Sequence, residues 1–187
     1  MIANLANHKR DMPTAMQQHR LFFALWPDPG VRAALAQVQA GITGTLMPAE
    51  KLHLTLAFLG QQPASALPAL CRVLDQVPAQ PMALQLDIQG YFTSLRIAWA
   101  GMRSVPPKLL ELRGALMQML AASRFVPEFE KDRFEPHVTL ARKAGSGAAA
   151  VGASAIPPIR WLATQMVLAE SFTGTGEYRI IATRQLD

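Results

Sequence analysis

The chain has a single cysteine, Cys71, among its 187 residues. Neither an intrachain disulfide nor a thiolate metal cluster can form, and Cys71 reads as a small core residue within a helix. Charge is also scarce: acidic and basic residues make up 17% of the sequence, and they never gather into the dense Lys/Arg run of a dedicated duplex binder. Long apolar runs are missing. No window reaches the ~18 residues of a membrane span, and the N-terminus lacks the apolar segment of a signal peptide, so a cytoplasmic protein with no membrane partner is expected. Glycine-rich phosphate loops, nucleophile elbows and dinucleotide fingerprints are absent too. Asp132 and Glu135 stand near His137, but without a ligand spacing such as His-Glu-x-x-His, so no metal and no other cofactor is expected.

What is present fits a packed globular chain. Half of the residues are hydrophobic, enough to bury a sizeable core, and the length suits one domain or two small lobes sharing a core. The net charge of +5 raises the local concentration of phosphate-bearing ligands.

Residues 1–19 are polar and aperiodic and read as a flexible extension in which His8 and His19 are bystanders, leaving 20–187 as one domain. Arg20-Leu-Phe-Phe-Ala-Leu-Trp26 reads as a buried strand. Asp28 and Pro29 then start a helix with Val31, Leu35 and Val38 on its apolar stripe. Leu52 to Phe58 alternates as a strand closed by Gly60, and a helix from about Ala64 to Gln76 follows. Leu84–Ile88 and Arg96–Ala100 read as a hairpin. Pro106 opens a third helix with Leu109, Leu110, Leu112, Leu116, Met117 and Leu120 as its apolar residues. Lys131 to Glu135 is a charged loop before a strand at Pro136–Ala141, and Gly145–Ala155 is a Gly/Ala/Ser-rich surface loop. Leu162 or Thr164 to Phe172 and Tyr178 to Thr183 close the chain around the turn Thr173-Gly-Thr-Gly176. The pattern implies two related α+β halves.

One motif occurs twice, as His53-Leu-Thr-Leu and His137-Val-Thr-Leu. Side chains alternate along a strand, so each His shares a face with the Thr two residues on, while the aliphatic neighbours point into a core. Two such strands side by side would offer two imidazoles and two hydroxyls to one groove. Opening a cyclic phosphodiester needs a base for the attacking water, an acid for the departing ribose oxygen and donors for the charged phosphoryl oxygens. Histidine suits both proton roles near neutral pH, and Thr55 and Thr139 suit the third. The residues alone do not rank the two histidines as acid and base.

Leu52-His-Leu-Thr-Leu-Ala-Phe-Leu-Gly60 and Phe134-Glu-Pro-His-Val-Thr-Leu-Ala-Arg142 resemble the signature strands of the two-histidine phosphoesterase superfamily, in particular its bacterial RNA 2′,3′-cyclic phosphodiesterase branch, historically called 2′-5′ RNA ligase. The likeness runs from about Arg20 to Leu186. It implies a bilobal α+β fold with two pseudo-symmetric halves, mainly antiparallel sheets flanked by helices, and a central groove. It further implies hydrolysis of 2′,3′-cyclic phosphates on RNA ends or nucleotides to 2′-phosphomonoesters, with 2′-5′ ligation as the reverse reaction and no obligate protein partner. By that resemblance His53 is the general acid, His137 the general base, and Arg142 lies beside the phosphate. Strand parity opposes the last assignment: Arg142 is three residues after Thr139 and faces the core of an ideal strand, unless a bulge or the strand's end re-aims it. Phe92 is a candidate for stacking on a base. Two other readings remain open. One is a phosphodiesterase for a 2′-5′ oligonucleotide or an ADP-ribose cyclic phosphate; the other is a module that binds nucleotides or RNA ends without turnover.

Overall fold

A computed structural model describes residues 17–128, 134–145, 153–174 and 176–187. Their strands form one antiparallel sheet in the order β7-β4-β5-β6-β3-β1-β8-β9. In chain order these are β1 (Gln18–Leu25), β3 (Leu54–Pro63), β4 (Met82–Phe92), β5 (Ile97–Gly101), β6 (His137–Arg142), β7 (Ser154–Ala163), β8 (Gln165–Ser171) and β9 (Tyr178–Gln185), and a short β2 (Thr45–Leu46) pairs with β6. Four strands stand on each side of the β3–β6 seam, each group led by a His-x-Thr strand, so the expected two halves are present. Among the described residues no helix is long and apolar enough to cross a membrane.

Alternation decides which face is core. Leu21, Phe23 and Leu25 of β1, with Val138 and Leu140 of β6, join the main cluster beneath the helices. Phe22, Ala24 and Trp26 form a separate cluster with Val167 and Ala169 on the other face. Three helices cover the core face: α1 (Pro29–Val38), α2 (Leu67–Gln76) and α3 (Pro107–Ala122). Asp28 caps α1 as expected, its Oδ1 accepting from the Val31 N–H at 3.0 Å. At the C-terminal end of α2, Arg184 donates to the carbonyls of Leu74 and Val77, at 3.0 and 2.6 Å, meeting acceptors that a helix terminus leaves unpaired. Leu109, Leu112, Leu116 and Leu120 of α3 are buried, whereas Leu110, expected on the same stripe, is half exposed.

The described residues correct several expectations. β1 begins at Gln18, before the expected end of the flexible extension, and His19 is no bystander. It is buried on the core face, where its Nδ1 donates to the Glu170 carboxylate at 2.8 Å while Arg179 donates to the other oxygen at 2.6 Å. A carboxylate buried this deeply requires its partners, and the triad ties β1 to the β8–β9 hairpin. Gly60 does not close its strand. It lies inside β3 at φ +65°, with a side chain excluded by Glu128, and the strand continues to Pro63. The loop expected over Gly145–Ala155 ends early, because β7 starts at Ser154 and pairs with β4. Pro157 and Pro158 are tolerated there because β7 is an edge strand. His8, Lys131, Asp132 and Arg133 lie outside the described residues.

Candidate active site

β3 and β6 meet at Leu54 opposite Val138. In an antiparallel pair this register sets His53 opposite Thr139 and Thr55 opposite His137, all four on the face away from the core. Beyond the seam the two strands take different neighbours. The free side of β6 pairs with β2, Thr45 opposite Arg142 and Leu46 opposite Ala141, and Phe58 of β3 bridges to Glu128. The halves therefore part on either side of the motif, leaving the expected groove above it.

Each motif strand carries a bulge at the same place. On β6, Trp99 pairs with Thr139 and Ala98 with Ala141, leaving Leu140 as the extra residue. On β3, Ala24 pairs with Thr55 and Phe23 with Ala57, leaving Leu56 extra. A bulge puts two successive side chains on one face and shifts everything after it by one. Leu140 and Ala141 are both fully buried and Arg142 is exposed. Parity counted past this bulge puts Arg142 on the groove side. The carbonyl of Leu140 is met by the Gln39 side chain and the Met47 N–H, each at 2.8 Å, so the bulge leaves no buried acceptor unpaired.

The two imidazoles are held alike. His53 Nδ1 lies 2.6 Å from the Lys51 carbonyl, and His137 Nδ1 lies 2.7 Å from the Glu135 carbonyl. A carbonyl only accepts, so in both rings Nδ1 carries the proton and Nε2 is left with a lone pair. Their surroundings differ. His53 stacks on Phe22 and on Trp26, with ring centroids 4.9 and 5.3 Å away, and takes the edge of Tyr178 at 5.3 Å. Desolvation in this cage pulls its pKa down to about 4; the Lys51 carbonyl opposes the shift, and the charges of Arg142 and His137 add to it. His137 meets Phe92 edge-on at 5.0 Å and Trp99 at 6.3 Å. Its pKa is also lowered, first by desolvation, against which the Glu135 carbonyl and carboxylate act, and then by Arg142. The charge of Arg142 thus reaches both rings.

Beside His137 lies a cavity of about 380 Å³ lined by Phe92, Trp99, Phe134 and Arg103, among others. Phe92 lines this cavity with its ring edge-on to His137. Trp99 lies flat against Gly90, where any side chain would collide with its ring. Trp26, Phe22, Tyr178 and Trp99, which surround the two imidazoles, were not among the expected site residues. For Phe22 and Trp26 the signal was their period-two spacing along β1 and the residue that follows it, masked by the segment's continuous apolarity. Of the three acidic and histidine residues weighed as a metal site, Asp132 is undescribed, and among the described residues no group of three His, Cys, Asp or Glu side chains gathers to hold an ion.

A His-x-Thr strand from each half of a pseudo-symmetric α+β sheet, both opening onto one groove, defines a two-histidine phosphoesterase. Comparison with known proteins agrees: the sequence model of the 2′-5′ RNA ligase superfamily matches residues 26–174, and the chain belongs to that superfamily. It is 33% identical over 147 residues to the RNA 2′,3′-cyclic phosphodiesterase of Escherichia coli (strain K12), covering 76% of this chain and 78% of that one. It is 34% identical over 137 residues to the protein of the same name from Thermus thermophilus, covering 66% and 68%. The crystal structure of E. coli LigT in apo form matches with a TM-score of 0.76 at 30% identity, over 91% of this chain and 98% of that one.

Proposed function

We propose that the protein hydrolyses 2′,3′-cyclic phosphates at RNA ends or on nucleotides, giving 2′-phosphomonoesters, with the four motif side chains as its machinery. The cyclic phosphate lies between the two Nε2 atoms. His137 takes a proton from water as the water oxygen bonds to phosphorus, the bond from phosphorus to the 3′ oxygen breaks, and His53 gives that oxygen a proton. Thr55 and Thr139 donate hydrogen bonds to the non-bridging oxygens, and Arg142 offsets their charge. After one turnover His137 is protonated and His53 neutral, and exchange with solvent restores the pair.

The observation that carries this reading is the matched pair of Nδ1 hydrogen bonds, which aims one Nε2 from each half at the groove. The names of the relatives support the substrate class, and the resemblance supports the labels of acid and base. Between their aromatic neighbours both rings favour the neutral form, so the base is ready and the acid is not. An anionic phosphate entering between the rings stabilises the imidazolium form, and the proton for the leaving oxygen is taken up with the substrate. Ligation of a 2′-5′ bond is the same path reversed, with an RNA hydroxyl in place of water.

The test is incubation with a 2′,3′-cyclic nucleotide in excess chelator, with the product identified by phosphorus NMR. A 2′-phosphate formed at an undiminished rate is expected. No turnover, a requirement for added metal or a 3′-phosphate product would overturn the mechanism. Parallel assays with a 2′-5′ oligonucleotide and an ADP-ribose cyclic phosphate rank the substrates.

A further inference from the structure

Arg20 is the third residue of β1, and strand alternation places it on the groove face with Phe22, Ala24 and Trp26. Its guanidinium carbon sits 4.3 Å over the ring of Phe58, and one of its nitrogens donates to the Ser171 hydroxyl at 3.0 Å. Ser171 returns a bond to the Arg20 carbonyl at 3.3 Å. Among the described residues Arg20 pairs with no acid. The nearby Glu170 points to the other face and is taken by His19 and Arg179. The guanidinium is therefore oriented, half-buried and left with unused N–H donors on the groove side.

Phe58 occupies on β3 the place that Arg142 occupies on β6, the second residue past the bulge. One half supplies a cation there directly. The other supplies an aromatic ring with the Arg20 cation laid across it. Phe58 is three residues beyond Thr55, so the Arg20 charge lies on the order of 10 Å along the groove from the reacting phosphate, about the reach of one nucleotide.

We infer that Arg20, held by Phe58 and Ser171, is a specificity-determining residue that binds the phosphate on the 5′ side of the terminal nucleotide, so that the favoured substrate is an RNA end or a 5′-phosphorylated cyclic nucleotide rather than a bare cyclic nucleoside. This rests on the proposed acid role of His53. In-line attack puts water on the His137 side and the leaving ribose on the His53 side, and the nucleotide's 5′ phosphate then extends over the half that carries Arg20.

The experiment compares kcat/KM for a 2′,3′-cyclic nucleoside phosphate, its 5′-phosphorylated form and a dinucleotide ending in the cyclic phosphate. In the native protein the two substrates with the extra phosphate are preferred. Arg20→Met removes most of that preference, a loss of about tenfold or more carried mainly by KM, while Arg20→Lys keeps part of it. Ser171→Ala, which loosens the guanidinium without removing it, gives a smaller loss in the same direction. An equal loss on all three substrates would make Arg20 a strand pin and overturn the inference, as would a native protein with no preference. If the native protein turned over none of them, the proposed function would be the part that failed. Calorimetry with a dinucleotide 2′-phosphate and a nucleoside 2′-phosphate then decides the subsite. Tighter binding of the dinucleotide is expected, with a salt slope that falls by about 0.7 in Arg20→Met; equal affinity for the two would overturn the inference.

Discussion

His53 and His137 hold the same position in the same motif, and each gives its Nδ1 proton to the carbonyl two residues upstream. The halves around them differ. One closes on its imidazole with Phe22 and Trp26 stacked and Tyr178 edge-on. The other leaves its imidazole against the edge of Phe92 beside an open cavity, with the Glu135 carboxylate favouring the proton. The motif sets direction, and the packing around it sets proton affinity. Duplicated strands need not share a proton affinity, because that property depends on residues outside the four that repeat.

The hardest test of this division removes one ring at a time. His53→Ala and His137→Ala are each expected to lower kcat on a cyclic nucleotide by ~10²–10⁴-fold with far-ultraviolet circular dichroism unchanged. An aryl phosphodiester separates the roles, since its phenolate departs without a proton: the deficit of His53→Ala shrinks on that substrate and the deficit of His137→Ala persists. A smaller effect is expected from opening the cage. Phe22→Leu lets water reach His53 and moves its proton NMR titration from about 4 toward the ordinary value near ~6.5, leaving His137 in place; an unmoved His53 would discredit the cage as the cause. The smallest effect is on stability. Above the unfolded pKa both rings are neutral in either state. As the pH falls from ~6.5 toward 4, the unfolded chain takes up protons that folded His53 refuses, so stability is lost across that window. Unfolding free energies from denaturant titrations at pH 7 and pH 5 are expected to differ by on the order of 2 kcal/mol, and His53→Gln flattens the dependence.

Local pattern carried the site a long way. Two His-x-Thr strands, their shared faces and the groove between two halves follow from period-two alternation and hold in the structure. Arg142 marks where alternation stops being informative, because a bulge is set by how Leu140 fits against β5 and β2 rather than by any residue type near it. The cage around His53 comes from β1 and β9, distant in sequence, and only strand pairing brings them together. β7 escaped notice because its start is rich in small residues and its interior holds Pro157 and Pro158, both allowed by an edge that the sequence does not announce. His19 looked solvated because its partner Glu170 lies near the other end of the chain.

The paired bulges at Leu56 and Leu140 have a consequence for how a substrate enters. A groove built from two equivalent strands is degenerate: a small cyclic phosphate could lie in it either way round, and half of the encounters would present the wrong oxygen to the wrong histidine. Under the proposed function the second residue past each bulge lifts that degeneracy, since it is Arg142 on one strand and Phe58, overlaid by Arg20, on the other. The bulge beside each Thr thus makes room for polarity in an otherwise palindromic site, and under the proposed function it lets the chain tell the head of its substrate from the tail.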